Sequence, residues 1–183
     1  MSRKYRAILS VDPGIQKSGW AIFVDNLLTA CGVARFQISI KNDKLFKEDT
    51  KRLLAIRQIT AKIAAAWEQV MGVMVQPNKM IIEQPEIYNH ASRKGDPNDL
   101  MPLAILGGVL WERMAPNQII FVKPKLWKGQ VPKEVMTKRT HAELSQREQN
   151  IAIDSFRDLP KDAYHDGYDA IGIGRWYIKK ESK

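Results

Sequence analysis

Asp12 in ILSVDPGIQKSGWAIF, Glu83 in MIIEQPEIY, and the pair Asp166 and Asp169 in HDGYDAIGIG are the residues of this chain best suited to chemistry. Asp12 and Glu83 each close an apolar, β-type run. Asp166 and Asp169 stand three residues apart in a helical pattern, which puts them on one face. Carboxylates drawn together from distant segments oppose one another's ionisation unless a cation neutralises them. A hard divalent ion bound through carboxylate, water and phosphate oxygens would do so. Two such ions about 4 Å apart can clamp both sides of a phosphodiester and activate a water. Asp12, Glu83, Asp166 and Asp169 are therefore candidate metal ligands and catalytic residues. Plainer readings stand beside this one. Aspartate before Pro13-Gly14 is ordinary turn chemistry, Asp166 suits a helix start, and Glu83 can pair with a lysine or arginine. His165, next to the pair, can be a ligand, a proton carrier or a cap, and the last two roles suit it better.

The rest of the chain suggests what such a site would act on. Net charge is +9, which favours a polyanionic partner. Lys123, Lys125, Lys128, Lys133, Lys138 and Arg139 face a single acid, Glu134, within one short segment. That segment also holds Trp127, Pro124, Gly129 and Pro132, and it reads as a mobile basic loop with an aromatic inside. A solvated surface run is the plainer alternative. No apolar run approaches the ~20 residues needed to cross a bilayer, so no membrane role is expected. The basic, then briefly apolar start of the chain makes a poor secretory signal. Cys31 is the only cysteine, which excludes an internal disulfide and a cysteine-based zinc site and suits the cytoplasm.

The elements follow from periodicity. Residues 6–11, 20–24 and 30–40 read as three antiparallel strands joined by short turns. Leu53, Ile56, Ile59, Ile63, Trp67 and Val70 mark one face of a long helix capped near Asp49 or Thr50. A short strand over 80–83 ends at Glu83. Residues 88–99 read as a loop, and Asn98 or Asp99 caps a helix reaching Met114. That helix contains Gly107-Gly108, which close packing against a neighbour would explain. Residues 119–122 form a strand, 140–153 a polar helix, and about 162–179 the last helix. Strands separated by single helices pair in parallel. The expectation is an α/β fold: a mixed five-stranded sheet, antiparallel then parallel, with helices on both faces and one domain over 1–183.

Taken together these motifs resemble the RuvC family of Holliday junction resolvases, within the ribonuclease H-like nuclease fold. The family has aspartate in a DPG…G context after strand one, glutamate followed by glutamine after strand four, and D-x-x-D-A-(I/L)-x-I in the final helix. Here these are Asp12-Pro13-Gly14 with Gly19, Glu83-Gln84, and Asp166-Gly167-Tyr168-Asp169-Ala170-Ile171. The resemblance implies a homodimer that resolves four-way DNA junctions by paired nicks. It implies Mg²⁺ or Mn²⁺, two ions per site, held by Asp12, Glu83, Asp166 and Asp169. It also implies a basic segment against the scissile region, matching residues 123–139, and an aromatic just after the glutamate that opens the junction core. Tyr88 is the nearest such aromatic, and Trp127 is an alternative stacker. Residues 88–99 and the KPKLWKGQVPKE segment depart from ordinary bacterial members and suggest a diverged, phage-type version. Three other readings compete: a broader nuclease of forks and flaps, an actin-like ATP-binding protein, and a non-catalytic DNA-binding module. The ATP reading requires a second glycine-rich phosphate loop, which the sequence lacks.

Overall fold

The first strand, β1 (Ala7–Asp12), is buried on both faces because it runs through the middle of a sheet. This is seen in a computed structural model, which describes residues 6–37, 47–86 and 100–182. β1 pairs antiparallel with β2 (Lys17–Val24), and β2 pairs antiparallel with β3 (Leu27–Arg35). The β2–β3 connection is the two-residue turn Asp25-Asn26, whose φ values of 49° and 70° match the twist of a tight hairpin. On its other side β1 pairs in parallel with β4 (Lys79–Glu83), and β4 pairs in parallel with β5 (Ile119–Val122). The order is β3-β2-β1-β4-β5. This is the mixed five-stranded α/β sheet that the sequence predicts.

Alternate side chains of each strand feed separate cores. Leu9, Val11, Ile22, Met80 and Ile82 pack with α1 (Glu48–Met71) and α2 (Leu100–Met114), through Ile59, Ile63, Trp67, Leu106 and Leu110. Ile8, Phe23 and Ile81 face the other way, onto Ile171 and Ile173 of α6 (Lys161–Glu181). Cys31 lies in this second core, and burial pushes its thiol up to about 12 despite a hydrogen bond from Ser155. Among the described residues no helix is long and apolar enough to cross a membrane.

Three expectations about elements need correction. The third strand begins at Leu27 and ends at Arg35, not at 30 and 40, because the hairpin turn sits directly before it. The segment read as a mobile basic loop is largely helical. It contains the short α3 (Pro124–Trp127), with Pro124 at its first position, and α4 (Lys133–Ala142). The polar helix expected over 140–153 is in fact α4 followed by α5 (Gln146–Phe156). The break is a capping box, in which Ser145 and Glu148 satisfy each other's orphan amides. The expected loop at 88–99, its Asn98 or Asp99 cap and residues 38–40 of the expected third strand lie outside the described residues.

Candidate functional site

The parallel pairing of β1 and β4 points both strands the same way. Val11 sits opposite Ile82, so Asp12 and Glu83 emerge side by side at the carboxyl ends of neighbouring strands. Open α/β sheets put their ligands at this rim. α6 brings Asp166 and Asp169 to the same place. Its N-terminal turn lies so close to β2 that a methyl group at Gly19 would stand 1.8 Å from the Asp166 carbonyl oxygen. Further along, the buried Ser10 hydroxyl donates to the Ala170 carbonyl at 2.7 Å and pins α6 to β1. The loop after Asp12 is closed by Ser18. Its hydroxyl donates to the Gly14 carbonyl at 2.9 Å and accepts from the Gly14 amide at 3.0 Å. Asp12, Glu83, Asp166 and Asp169 thus line one cleft, together with Lys17, Lys128 and Lys133.

The electrostatics are those of crowded acids held apart by lysines. Burial, then the charges of Glu83 and Asp169, push Asp12 well above the usual aspartate range. Asp169, 1% exposed, is also raised, chiefly by burial and against the pull of Lys128 and Lys133. The Lys128 ammonium lies 3.1 Å from Glu83 Oε2 and 3.5 Å from Asp169 Oδ2. Lys133 donates to Asp166 Oδ1 at 2.8 Å. Burial alone would pull both lysines down; the neighbouring carboxylates outweigh it and hold both above the ordinary lysine value.

The donors are all carboxylate oxygens, the type a hard divalent cation takes. Asp169 Oδ1, Asp169 Oδ2 and Asp166 Oδ2 are buried carboxylate oxygens with no hydrogen bond. Buried charged oxygens of this kind are costly unless paired or bound to a metal. The arrangement is nonetheless looser than the expected shared ligand set. Among the described residues no three His, Cys, Asp or Glu side chains stand close enough together to hold an ion. Lysine ammonium groups lie between them.

Several residues differ in place from their sequence-level roles. Trp127, expected as an alternative stacker, is only 7% exposed and donates its indole Nε1–H to Glu83 Oε2 at 2.7 Å, so its faces are not free to receive a base. His165 is not among the residues lining the cleft; its Nδ1 lies 2.8 Å from Thr137 Oγ1 and its ring packs on Tyr164. Of the basic residues, Lys128 and Lys133 point into the carboxylates and Lys123 pairs with Glu86 at 3.6 Å. Lys125, Lys138 and Arg139 are exposed. Tyr88 lies outside the described residues. Gly107 and Gly108 fall inside α2, so they form no phosphate loop.

Lys17 was not anticipated. Its Nζ donates to the Asp162 carbonyl at 2.6 Å and to Asp162 Oδ2 at 2.9 Å, and lies 3.4 Å from Asp166 Oδ2. The available signal was its position between Gly14 and Gly19, at the mouth of the loop that carries Asp12.

No protein-family model matches the sequence, and no curated protein matches it. Solved structures do. Thermus thermophilus RuvC superposes with a TM-score of 0.57 at 12% identity, over 96% of each chain. T. thermophilus RuvC in complex with a Holliday junction substrate gives 0.50 at 12% identity, covering 95% of this chain and 96% of that one. The yeast mitochondrial Holliday junction resolvase Ydc2 gives 0.53 at 13% identity, covering 96% of this chain and 82% of the other. The chain has the RuvC-like resolvase fold, as the motifs predict.

Proposed function

We propose that the chain is a cation-dependent endonuclease of branched DNA that resolves four-way junctions by paired nicks. The observation that carries this reading is the cleft itself. Four carboxylates from three distant segments share one rim of a resolvase-type sheet, with buried oxygens lacking hydrogen bonds and lysines on every side. In this reading Asp12, Glu83, Asp166 and Asp169 hold Mg²⁺ or Mn²⁺. The ion, when bound, supplies Lewis-acid polarisation of the phosphodiester and a water activated near neutral pH.

The chain's own residues have separate tasks. Lys128 and Lys133 neutralise the carboxylates and can turn to the scissile phosphate as it enters. Lys17 ties the start of α6 to the Asp12 loop. Lys125, Lys138 and Arg139 grip the flanking backbone, which positions the duplex without reading sequence. One of the similar structures, RuvC, is held with a Holliday junction substrate, and this supports a branched substrate here.

A homodimer belongs to the same proposal, since paired nicks need two sites. α2 offers the surface: Met101 and Trp111 are 72% and 57% exposed, Ile105 lies between them, and a methyl group at Gly108 would meet nothing within 4 Å. An apolar stripe with an open glycine suits a second copy packed closely against it. Light scattering is expected to give twice the chain mass, and Trp111→Glu with Ile105→Glu to give a single chain.

The deciding experiment is gel cleavage of a four-way junction, a fork and a plain duplex, with and without Mg²⁺. Paired, Mg²⁺-dependent nicks in the junction are expected. Equal cutting of forks would point to general debranching. No cutting of any substrate with either Mg²⁺ or Mn²⁺, while junctions are still bound, would leave a non-catalytic DNA-binding module.

A further inference from the structure

Trp127 touches both members of an ion pair at the end of β4. Its indole N–H donates to Glu83 Oε2 at 2.7 Å, and its ring face carries the Lys128 ammonium 4.8 Å from the centroid. The ring is fixed from behind. A methyl group at Gly172 of α6 would stand 2.7 Å from Trp127 Cζ3 and 3.1 Å from Thr140 Oγ1. Glycine at 172 is therefore what lets the indole lie against the helix. The residue also sits where it can reach: α3 follows β5 directly, and Val122 of β5 pairs with Glu83 of β4.

A buried tryptophan needs an acceptor for its N–H, and a backbone carbonyl would serve. Here the acceptor is instead a carboxylate of the cleft. Glu83 is the one member of the set with three side-chain torsions, so it loses the most rotamer freedom when ordered. Removing a group that orients a metal ligand from behind typically costs about 10–100-fold in metal affinity or activity.

We infer that Trp127 is a positioning residue. Its indole N–H holds the Glu83 carboxylate, and its face holds Lys128, so that both are in place before a cation or phosphate arrives. The inference rests on the proposed cation site and gives Trp127 a task distinct from stacking on DNA.

The test uses Mn²⁺ and the DNA-free full chain, following the melting temperature as Mn²⁺ is titrated. Trp127→Phe keeps a ring in the Gly172 slot and removes the N–H. Incorporating β-(3-benzothienyl)alanine at position 127 keeps the bicyclic shape and also lacks the N–H. Both variants are expected to raise the half-saturating Mn²⁺ concentration by about tenfold or more, and to slow junction cleavage by about 10–100-fold with junction binding retained. In a Glu83→Gln background the same change is expected to add nothing. A wild-type Mn²⁺ response that both variants leave in place overturns the inference alone, and so does a further loss on top of Glu83→Gln. A wild-type chain whose melting temperature ignores Mn²⁺ overturns the cation reading, and this inference with it.

Discussion

Asp12 carries the heaviest electrostatic load in the cleft. Burial and the charges of Glu83 and Asp169 raise its pKa well above the ordinary value. The sign of the consequence is fixed. A carboxyl whose folded-state pKa exceeds its unfolded value destabilises the fold while ionised, and the strain is relieved as pH falls through the folded-state pKa. Asp12→Asn removes that strain. In chelator, calorimetry is expected to find the variant more stable than wild type. Cleavage should fall to background while junction binding persists. A variant that melts no higher would show that the lysines already compensate the charge in full. At this scale the four acids were legible because Asp12 and Glu83 close apolar runs and Asp166 and Asp169 share a helical spacing. Lys17 and Trp127 were not: the Trp127–Glu83 bond spans 44 residues, and the partner of Lys17 lies 145 residues away. Composition carries no trace of such contacts.

At the scale of elements, the site depends on how tightly α6 sits on β2. Gly19→Ala would drive a methyl group into the Asp166 backbone oxygen, 1.8 Å away. Overpacking against backbone costs about 1–3 kcal/mol or more. Thermal denaturation should register that loss, and cleavage should fall further than stability alone explains, since Asp166 moves with the helix. A second junction joins three elements. Glu148 of α5 accepts from the Leu28 amide of β3 at 2.7 Å and pairs with Arg175 of α6. Burial pushes its pKa up, but the Leu28 and Ser145 hydrogen bonds and the Arg175 charge more than offset this and hold it below the usual 4.5. Its stabilisation is therefore fully present above that value and is lost as pH falls through the lower folded-state value. Urea titrations between about pH 6 and 3 should show Glu148→Gln losing less stability on acidification than wild type. Strand and helix types were legible from short apolar runs and three-four patterns, and β5 matches to the residue. The split between α4 and α5 was missed because Thr140 to Ile153 keeps a helical composition throughout. Only the Ser145–Glu148 capping geometry breaks it.

Taken whole, the molecule has a charge of +9, but within the basic segment three of the six cations are already engaged. Lys128 and Lys133 are engaged by the cleft, and Lys123 by Glu86, which leaves Lys125, Lys138 and Arg139 as the exposed members of the basic segment. About three phosphate contacts per chain give a log–log salt slope near −2.7, or roughly 40-fold weaker binding between about 50 and 200 mM salt. Two chains gripping one junction would double the slope. Filter binding across that range therefore reports how many copies engage, independently of cleavage. A flat response would remove the basic segment from the interface.

Cys31, sealed in the core between the sheet and α6, has one practical outcome. With its thiol pushed up to about 12, the folded chain offers maleimide dyes almost no thiolate at neutral pH. A single cysteine engineered on α4 or α2 would then be the sole attachment point for a fluorophore, with the native thiol left intact. Motion of either helix could be followed by energy transfer without first stripping the protein of its own sulfhydryl.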